Sequence, residues 1–308
     1  MGKIISLLLV SVLVFSLCAC GKSDEVVTDT TEMQSENIST TVNPDVESKF
    51  GWTDIVEVYA SHWNILGVKK DGTVVSTECI REGCKGQCKV DSWTDIISVT
   101  GGYAHTVGLK KDGTVVAVGE NDDGQCNVES WTDIVAVSSG GHHTIGLKSD
   151  GTVVSTGSNH AGECDVWGWT DVIAISAGYA FTVGLKSDGT VVATGYNFEG
   201  QCNVSEWTDI VSISASSDST VGVKSDGTVI STSGFEENFD KWTDIVATAS
   251  DSIYDVGLKS DGTVVIASFF PPEGFDVSRW KDITQISTNG FSLVGLRSDG
   301  TVVAVGEY

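Results

Sequence analysis

The chain repeats one short unit seven times, and this periodicity constrains its fold more than any other feature. A Trp-x-Asp triplet and an Asp-Gly-Thr triplet mark each unit, and both series advance by 41, 38, 38, 38, 35 and 38 residues. A period near 40 residues indicates stacked or radially arranged repeats. The triplets begin at Trp52, Trp93, Trp131, Trp169, Trp207, Trp242 and Trp280, and at Asp71, Asp112, Asp150, Asp188, Asp226, Asp261 and Asp299.

Each unit predicts four short antiparallel strands, and no capping box or long 3.6-residue stripe predicts a helix. In the third copy, apolar strands at 134–138, 143–148 and 152–157 precede a short fourth strand around 164–166. Asp150-Gly151 favours a hairpin with either a type I′ turn or a type I turn and a Gly bulge. Four such strands are typical of one propeller blade. The predicted fold is therefore all-β, a seven-bladed β-propeller of four-stranded antiparallel blades.

A glycine stands in the middle of the second strand of every unit. An interior strand glycine usually marks close backbone approach, which we expect near a crowded propeller axis. The seven positions are Gly67, Gly108, Gly146, Gly184, Gly222, Gly257 and Gly295.

The N-terminal residues predict export and a lipid anchor. Lys3 precedes the apolar run Ile4 to Leu17, which is too short for a stable transmembrane helix. The following Leu17-Cys18-Ala19-Cys20-Gly21 resembles the lipobox of bacterial lipoproteins, which implies removal of residues 1–19 and acylation of Cys20. The alternative is an ordinary signal peptide that contains cysteine. We expect an extracytoplasmic protein that is lipid-anchored to a bacterial membrane.

Composition separates a tether from the domain. Residues 20–43 join the acylated cysteine to a polar, acidic, Ser/Thr-rich segment that predicts disorder. Residues 44–308 are expected to form the propeller. The last unit ends at Tyr308 without its fourth strand, while Asp45-Val46-Glu47-Ser48 resembles Asn127-Val128-Glu129-Ser130. We therefore expect residues 44–50 to supply the missing outer strand and close the ring; the alternative places them in the tether.

The repeat pattern resembles the regulator of chromosome condensation repeat, a family of seven-bladed propellers. Residues 101–126 carry it most plainly, from Gly101-Gly102-Tyr103-Ala104-His105-Thr106 to Gly124-Gln125. The resemblance extends over 51–308 and implies the fold. The family is named for a nuclear protein that exchanges guanine nucleotide and binds chromatin. Neither role suits an exported chain of net charge −24, which repels phosphate backbones, so only the fold is carried over.

The sequence assigns no catalytic residue, metal site or cofactor. Cys88, Cys126, Cys164 and Cys202 share one repeat position and predict buried free thiols. Cys79 and Cys84 lie in an insertion and could form one local disulfide in an oxidising exterior. Zinc binding by Cys79, Cys84 and Cys88 is the weaker alternative, because a fourth ligand is missing.

Comparison of the seven copies predicts a binding face. The Asp-Gly turns and Trp-x-Asp corners hardly vary and share one face, whereas the tips between first and second strands vary widely. Aromatic anchors in polar surroundings are typical of protein interfaces; the alternative is drift in unconstrained loops. The predicted binding residues are Trp63, Tyr103, His142, Tyr179, Phe181, Tyr254 and Phe291.

The expected function is that of a monomeric, non-enzymatic propeller, anchored to the cell envelope, that binds a protein or peptide through its tips. A narrower alternative is suggested by a secreted β-lactamase inhibitor protein of the same fold, whose aromatic tips engage β-lactamases and penicillin-binding enzymes. A second alternative is a carbohydrate-binding or hydrolytic propeller with an axial acidic site at Asp218 and Asp251.

Overall fold

The computed structural model describes residues 50–78, 84–233, 239–268 and 275–306, which form 21 strands. The strands make seven antiparallel sheets of three, each in chain order. The predicted signal peptide, the tether and residues 44–49 lie outside the described residues. Within the described ranges, no helix is long and apolar enough to cross a membrane.

Each sheet uses one repeat unit. The first strands are β1 Ile55–Ala60, β4 Ile96–Gly101, β7 Ile134–Ser139, β10 Val172–Ala177, β13 Ile210–Ala215, β16 Ile245–Ser250 and β19 Ile283–Thr288. The second strands are β2 Ile65–Lys69, β5 His105–Lys110, β8 His143–Lys148, β11 Phe181–Lys186, β14 Thr220–Lys224, β17 Asp255–Lys259 and β20 Ser292–Arg297. The third strands are β3 Val74–Ser76, β6 Val115–Gly119, β9 Val153–Gly157, β12 Val191–Gly195, β15 Val229–Ser231, β18 Val264–Ala267 and β21 Val302–Gly306.

The prediction of a fourth strand per blade is wrong for the described residues. In the third unit the Asp165 amide donates to the Gly162 carbonyl at 3.0 Å, and the Val166 amide donates to the Cys164 carbonyl at 2.8 Å. These local turns use the backbone donors that a fourth strand would need. The segment still packs where the strand was expected, because Val166 is buried and the Ser155 hydroxyl donates to the Cys164 carbonyl at 2.9 Å.

The hairpins between second and third strands are type I turns with a Gly bulge. Gly151 has a φ of 81°, and Asp150 is not left-handed, which excludes a type I′ turn. The Gly151 amide donates to the Lys148 carbonyl at 3.0 Å. The Asp150 carboxylate accepts from both the hydroxyl and the amide of Thr152, and these bonds lower the pKa of Asp150. The Asp-Gly-Thr triplet is thus a self-bonded turn.

The Trp-x-Asp corners combine a left-handed aspartate with a buried indole. All seven corner aspartates have φ between 57° and 62°, a conformation that Asp tolerates better than most residues. At the corner of the third unit, the Trp131 ring lies over Gly146, where a Cβ would come within 2.8 Å of it. The mid-strand glycines therefore accommodate the corner tryptophans rather than a crowded axis, which corrects the prediction.

The first strands bond to one another through side chains. A hydroxyl on one first strand accepts a backbone amide from the next, so the inner edges of neighbouring sheets are joined. The last sheet joins the first in the same way, because the Ser287 hydroxyl accepts the Ala60 amide at 2.9 Å. The other bonds run from Ser139 to Thr100, from Ala177 to Ser138 and from Ala215 to Ser176, at 2.9 to 3.1 Å.

Apolar clusters fill the spaces between adjacent sheets. The cluster between the last and first units includes Ile55, Val58 and Leu296, and Phe50 packs against it. The Phe50 ring stacks on Trp52 with centroids 4.8 Å apart. The N-terminal end of the described chain is thus attached at the junction that the sequence analysis assigned to closure.

Candidate functional site

The segments between first and second strands lie together on one face, which we call the tip face; the Asp-Gly hairpins lie on the opposite face, the turn face. Backbone hydrogen bonds link neighbouring tips. The Tyr103 amide donates to the Gly141 carbonyl at 3.0 Å, and the Gly141 amide donates to the Tyr179 carbonyl at 2.9 Å. These bonds hold the tips of the second, third and fourth units in a continuous rim.

Five ring side chains on this rim form a connected series, the aromatic arc, made of His62, Trp63, Tyr103, His142 and Tyr179. Tyr103 contacts His62 and Trp63, with ring centroids 4.7 and 5.9 Å apart. His142 then bridges the two tyrosines, 5.6 Å from Tyr103 and 6.1 Å from Tyr179. The arc therefore extends across four units.

The arc is continuous because two tip positions alternate. His62, Tyr103 and Tyr179 occupy the first position, whereas Trp63 and His142 occupy the next one. Where one position is Gly or Ala, the other supplies the ring. The structure brings together four predicted binding residues and adds His62, which the repeat alignment could have revealed because it shares the position of the two tyrosines.

Four of the five arc side chains are partly exposed, whereas His62 is buried. Tyr103 is 38% exposed, and Trp63, His142 and Tyr179 are half-buried. Phe291, at the same tip position as Trp63 in the seventh unit, is also half-buried.

Two other predicted binding residues belong to the packing. Phe181 is 0% exposed and Tyr254 is 2% exposed, so their assignment to a binding surface is corrected. Both stand at the position that His105 and His143 fill in other units, where the side chain points between blades. A Cβ on Gly178 would lie 2.1 Å from the Phe181 ring, which shows how tightly this space is filled. The sequence did not indicate this burial, because the same repeat position holds a polar histidine in other units.

The equivalent histidines are neutral structural groups. Thr182 donates its hydroxyl proton to the Glu163 carbonyl at 2.8 Å, so it accepts from Nε2 of His143 at 3.0 Å. His105 bonds Thr144 in the same way. Burial lowers the pKa of His143 to about 4 and of His105 to about 3. Neither imidazole carries charge near neutral pH.

Carboxylates flank the arc. Nδ1 of His142 lies 3.5 Å from a Glu120 oxygen and 3.9 Å from an Asp123 oxygen. Farther along the rim, lost hydration raises the pKa of Asp218, and the charge of Glu199 adds a smaller effect in the same direction.

Buried carboxylates lie at the sixth unit, where the axial acidic alternative placed Asp251. Burial raises the pKa of Asp251 and of Asp255 to about 7. Asp251 is 4% exposed, and its carboxylate accepts the Ile253 amide at 3.2 Å. Across the described ranges, no group of three or more His, Cys, Asp or Glu side chains could hold a metal ion.

The cysteines differ from the expected pattern in one unit. Cys84 is exposed and free, whereas Cys88 is disulfide-bonded. The prediction of a free thiol at Cys88 and of a Cys79–Cys84 disulfide is therefore wrong. Cys79 lies outside the described residues. The equivalent Cys126, Cys164 and Cys202 are free, as expected, but only Cys126 is buried and the other two are half-buried. Desolvation raises the pKa of all three thiols to about 11, which makes them poor nucleophiles.

Comparison with protein families finds the regulator of chromosome condensation (RCC1) repeat at residues 96–125, 134–163 and 172–201. The second, third and fourth units match the RCC1 repeat. These RCC1-type units are also the ones that contribute Tyr103, His142 and Tyr179 to the aromatic arc. A comparison with curated proteins finds no significant match.

Solved propellers share the fold. The CRINKLY WD40 ectodomain of the Arabidopsis thaliana receptor kinase ACR4 is 19% identical, with a TM-score of 0.65, over 83% of this chain and 96% of that one. The ectodomain of the Physcomitrella patens receptor kinase CR4 is 15% identical, with a TM-score of 0.62, over 81% and 72%. Prp20p from Saccharomyces cerevisiae, described with its binding to Gsp1p and histones, is 15% identical, with a TM-score of 0.55, over 70% and 72%. At these identities the likeness shows an RCC1-like β-propeller fold.

Proposed function

We propose that this chain is an envelope-anchored propeller that binds a protein partner through the aromatic arc on its tip face. The observation that carries the proposal is the continuity of the arc from His62 to Tyr179. Partly exposed aromatic side chains held on a rigid rim have the character of interface hot spots. Prp20p, which shares the fold, is described as binding the proteins Gsp1p and histones.

The arrangement favours protein binding over an axial enzyme site. Rings from neighbouring units touch one another, so they present one extended surface instead of isolated side chains. The uniform turns and corners on the opposite face have structural causes in the self-bonded Asp-Gly-Thr triplets and the left-handed aspartates. The variation among tips is therefore concentrated on the face that carries the arc. A β-lactamase inhibitor-like role is a narrower form of the same proposal.

Capture from a cell-envelope extract tests the binding proposal. The immobilised wild-type protein is expected to retain a partner. Tyr103→Ala and Tyr179→Ala should each lower the affinity for that partner by at least about 30-fold, the loss that marks a hot spot. Ser149→Ala and Ser225→Ala change the opposite face and should bind as wild type. Loss of the partner in the serine variants, with normal binding by the tyrosine variants, would place the site on the turn face and refute the proposal.

The anchor has its own test. Cys20→Ala removes the thiol that the lipobox resemblance assigns to acylation. The variant should leave the membrane fraction, either as secreted protein or as uncleaved precursor. A fully processed Cys20→Ala protein that remains membrane-bound would show that another feature provides the attachment.

A further inference from the structure

The tip face carries a charge pattern that specifies its partner more narrowly. Acidic side chains stand at two places along the arc. Glu120 and Asp123 lie beside His142. Asp218 lies on the tip of the fifth unit, where it accepts the Ser216 hydroxyl at 3.2 Å, and the Ser216 carbonyl accepts the Tyr179 amide at 3.2 Å. Most basic residues of the repeat lie at the other face, where a Lys or Arg opens every hairpin turn. These residues are Lys69, Lys110, Lys148, Lys186, Lys224, Lys259 and Arg297.

The loop of the first unit is an exception to this separation. It carries Lys85 and Lys89, and Lys85 stands at the repeat position of Asp123. The equivalent loops of the second and fourth units are acidic, and they are the loops next to His142 and Asp218. Among the described loops, acidic side chains therefore accompany the arc in the second and fourth units.

The surroundings of His142 combine aromatic rings with carboxylates. Its imidazole lies 5.6 Å from the Tyr103 ring and within 4 Å of two carboxylates. Aromatic faces attract ammonium and guanidinium groups within about 6 Å. Carboxylates at the edge of the same rings supply the charge-assisted hydrogen bonds that such groups need. A neutral or acidic partner would leave these carboxylates desolvated without compensation.

We propose that the aromatic arc receives a basic segment of a protein partner, whose Lys or Arg side chains stack on Tyr103 and Tyr179 and pair with Glu120, Asp123, Glu199 and Asp218. This inference rests on the proposed function of the tip face. The net charge of −24 attracts a basic partner from a distance. The residues named here determine where its cationic side chains bind. Electrostatic attraction of this kind mainly increases the association rate.

Titration calorimetry with defined peptides tests the proposal on the full-length protein. The probes are an acetylated and amidated hexa-arginine, a hexaglutamate and a neutral Gly-Ser hexapeptide, each in 150 mM salt. Hexa-arginine should bind, and Glu120→Gln with Asp123→Asn should weaken it by about tenfold, the effect of losing two exposed ion pairs. Tyr103→Leu, which keeps apolar area but removes the aromatic face, should weaken it by about fivefold.

Matched controls separate a defined site from general attraction to an acidic protein. Asp133→Asn with Asp171→Asn removes two exposed charges at the corners, where asparagine tolerates the left-handed backbone. Trp167→Leu removes an aromatic that is 91% exposed and away from the arc. Both should bind hexa-arginine within about twofold of wild type. Equal weakening by the corner pair, or equal binding of the neutral or acidic hexapeptide, would overturn the proposal.

The envelope partner distinguishes this inference from the proposed function. Excess hexa-arginine should displace a partner captured through the tip face, whereas the neutral hexapeptide should not. If Tyr103→Ala abolishes capture of the partner but hexa-arginine does not displace it, the protein-binding function stands and the basic-segment inference is wrong.

Discussion

At the scale of single residues, one repeat position shows how similar blades use different side chains for one task. His105, His143, Phe181 and Tyr254 all fill the space between the tips of neighbouring units and are buried. The histidines bond a threonine of the next unit. Phe181 fills the same space by packing alone, and the neighbouring Thr220 keeps its bond to the Gln201 carbonyl at 2.7 Å.

His143 should make stability depend on pH. Its folded-state pKa of about 4 lies below the usual value near 6.5, mainly because of burial. Between these values the unfolded chain holds the proton and the native protein does not, so the contribution of His143 to stability is complete above pH 6.5 and is lost as pH drops toward 4. The raised pKa values of Asp251 and Asp255 act in the opposite direction over the same range, so the test compares wild type with a variant at this position. The slope from this residue is about 1.4 kcal/mol per pH unit.

His143→Phe copies the residue of the next unit and should remove that contribution. Urea unfolding at several pH values between 4 and 7.5 measures the slopes of wild type and variant. Relative to wild type, the variant should gain stability as pH falls from 6.5 toward 4, since a phenyl ring takes no proton. Identical slopes would contradict a buried neutral imidazole at this position.

Burial also separates Phe181 from the arc residues. Phe181→Ala should lower the free energy of unfolding by about 3–5 kcal/mol, as expected for a fully buried phenylalanine. Tyr103→Ala removes a partly exposed ring and should cost about 1 kcal/mol or less. Chemical denaturation measures both; a larger loss for Tyr103 would mean that the arc serves the fold rather than a partner.

At the scale of the repeat unit, the corner tryptophan and the strand glycine form one packing pair. A Cβ on Gly146 would lie 2.8 Å from two carbons of the Trp131 ring and 3.1 Å from a Val154 methyl group. The tryptophan therefore requires a glycine in the second strand of its own unit, and the same pair recurs around the ring.

A double-mutant cycle tests this pair. Gly146→Ala should cost about 1–3 kcal/mol through overpacking, and Trp131→Ala about 3–5 kcal/mol through lost burial. Because the alanine fills space that the indole leaves, the double variant should be more stable than the sum of the two losses implies. Strict additivity of the two unfolding free energies would show that the contact does not constrain the strand.

At the scale of the whole molecule, hydroxyl groups on first strands join neighbouring sheets at four junctions. Each bond satisfies a buried amide at an inner strand edge, which would otherwise lack a partner from its own sheet. The bond from the Ala60 amide to Ser287 does this between the last sheet and the first, across 227 residues of sequence.

Ser287→Ala should therefore cost about 1–3 kcal/mol, the penalty for a buried amide left unsatisfied. Ser138→Ala, which removes the equivalent acceptor of the Ala177 amide, provides the matched comparison inside the ring. Similar losses in unfolding free energy are expected for the two variants. A neutral Ser287→Ala beside a destabilising Ser138→Ala would show that the junction of the last and first sheets does not depend on this bond.

The sequence by itself determined the features that depend on residues close together along the chain. The seven units, the Asp-Gly-Thr turns and the Trp-x-Asp corners follow from local backbone preference and from short hydrogen bonds such as Thr152 to Asp150, and they could be located from their spacing. The tips were likewise identified as the variable face, and four of the predicted rings were found in contact.

Only the tertiary structure decided which side chains are buried and which contacts join different units. Phe181 and Tyr179 are two residues apart, yet one packs between blades and the other lies on the rim, because orientation at a tip depends on the neighbouring blade. The predicted fourth strand does not form for a similar reason. Turns around Cys164 satisfy the backbone hydrogen bonds locally, so Val166 is buried without pairing to the third strand. The hydroxyl bonds between first strands have no local signal, since each partner is about 40 residues away or, for Ser287 and Ala60, 227.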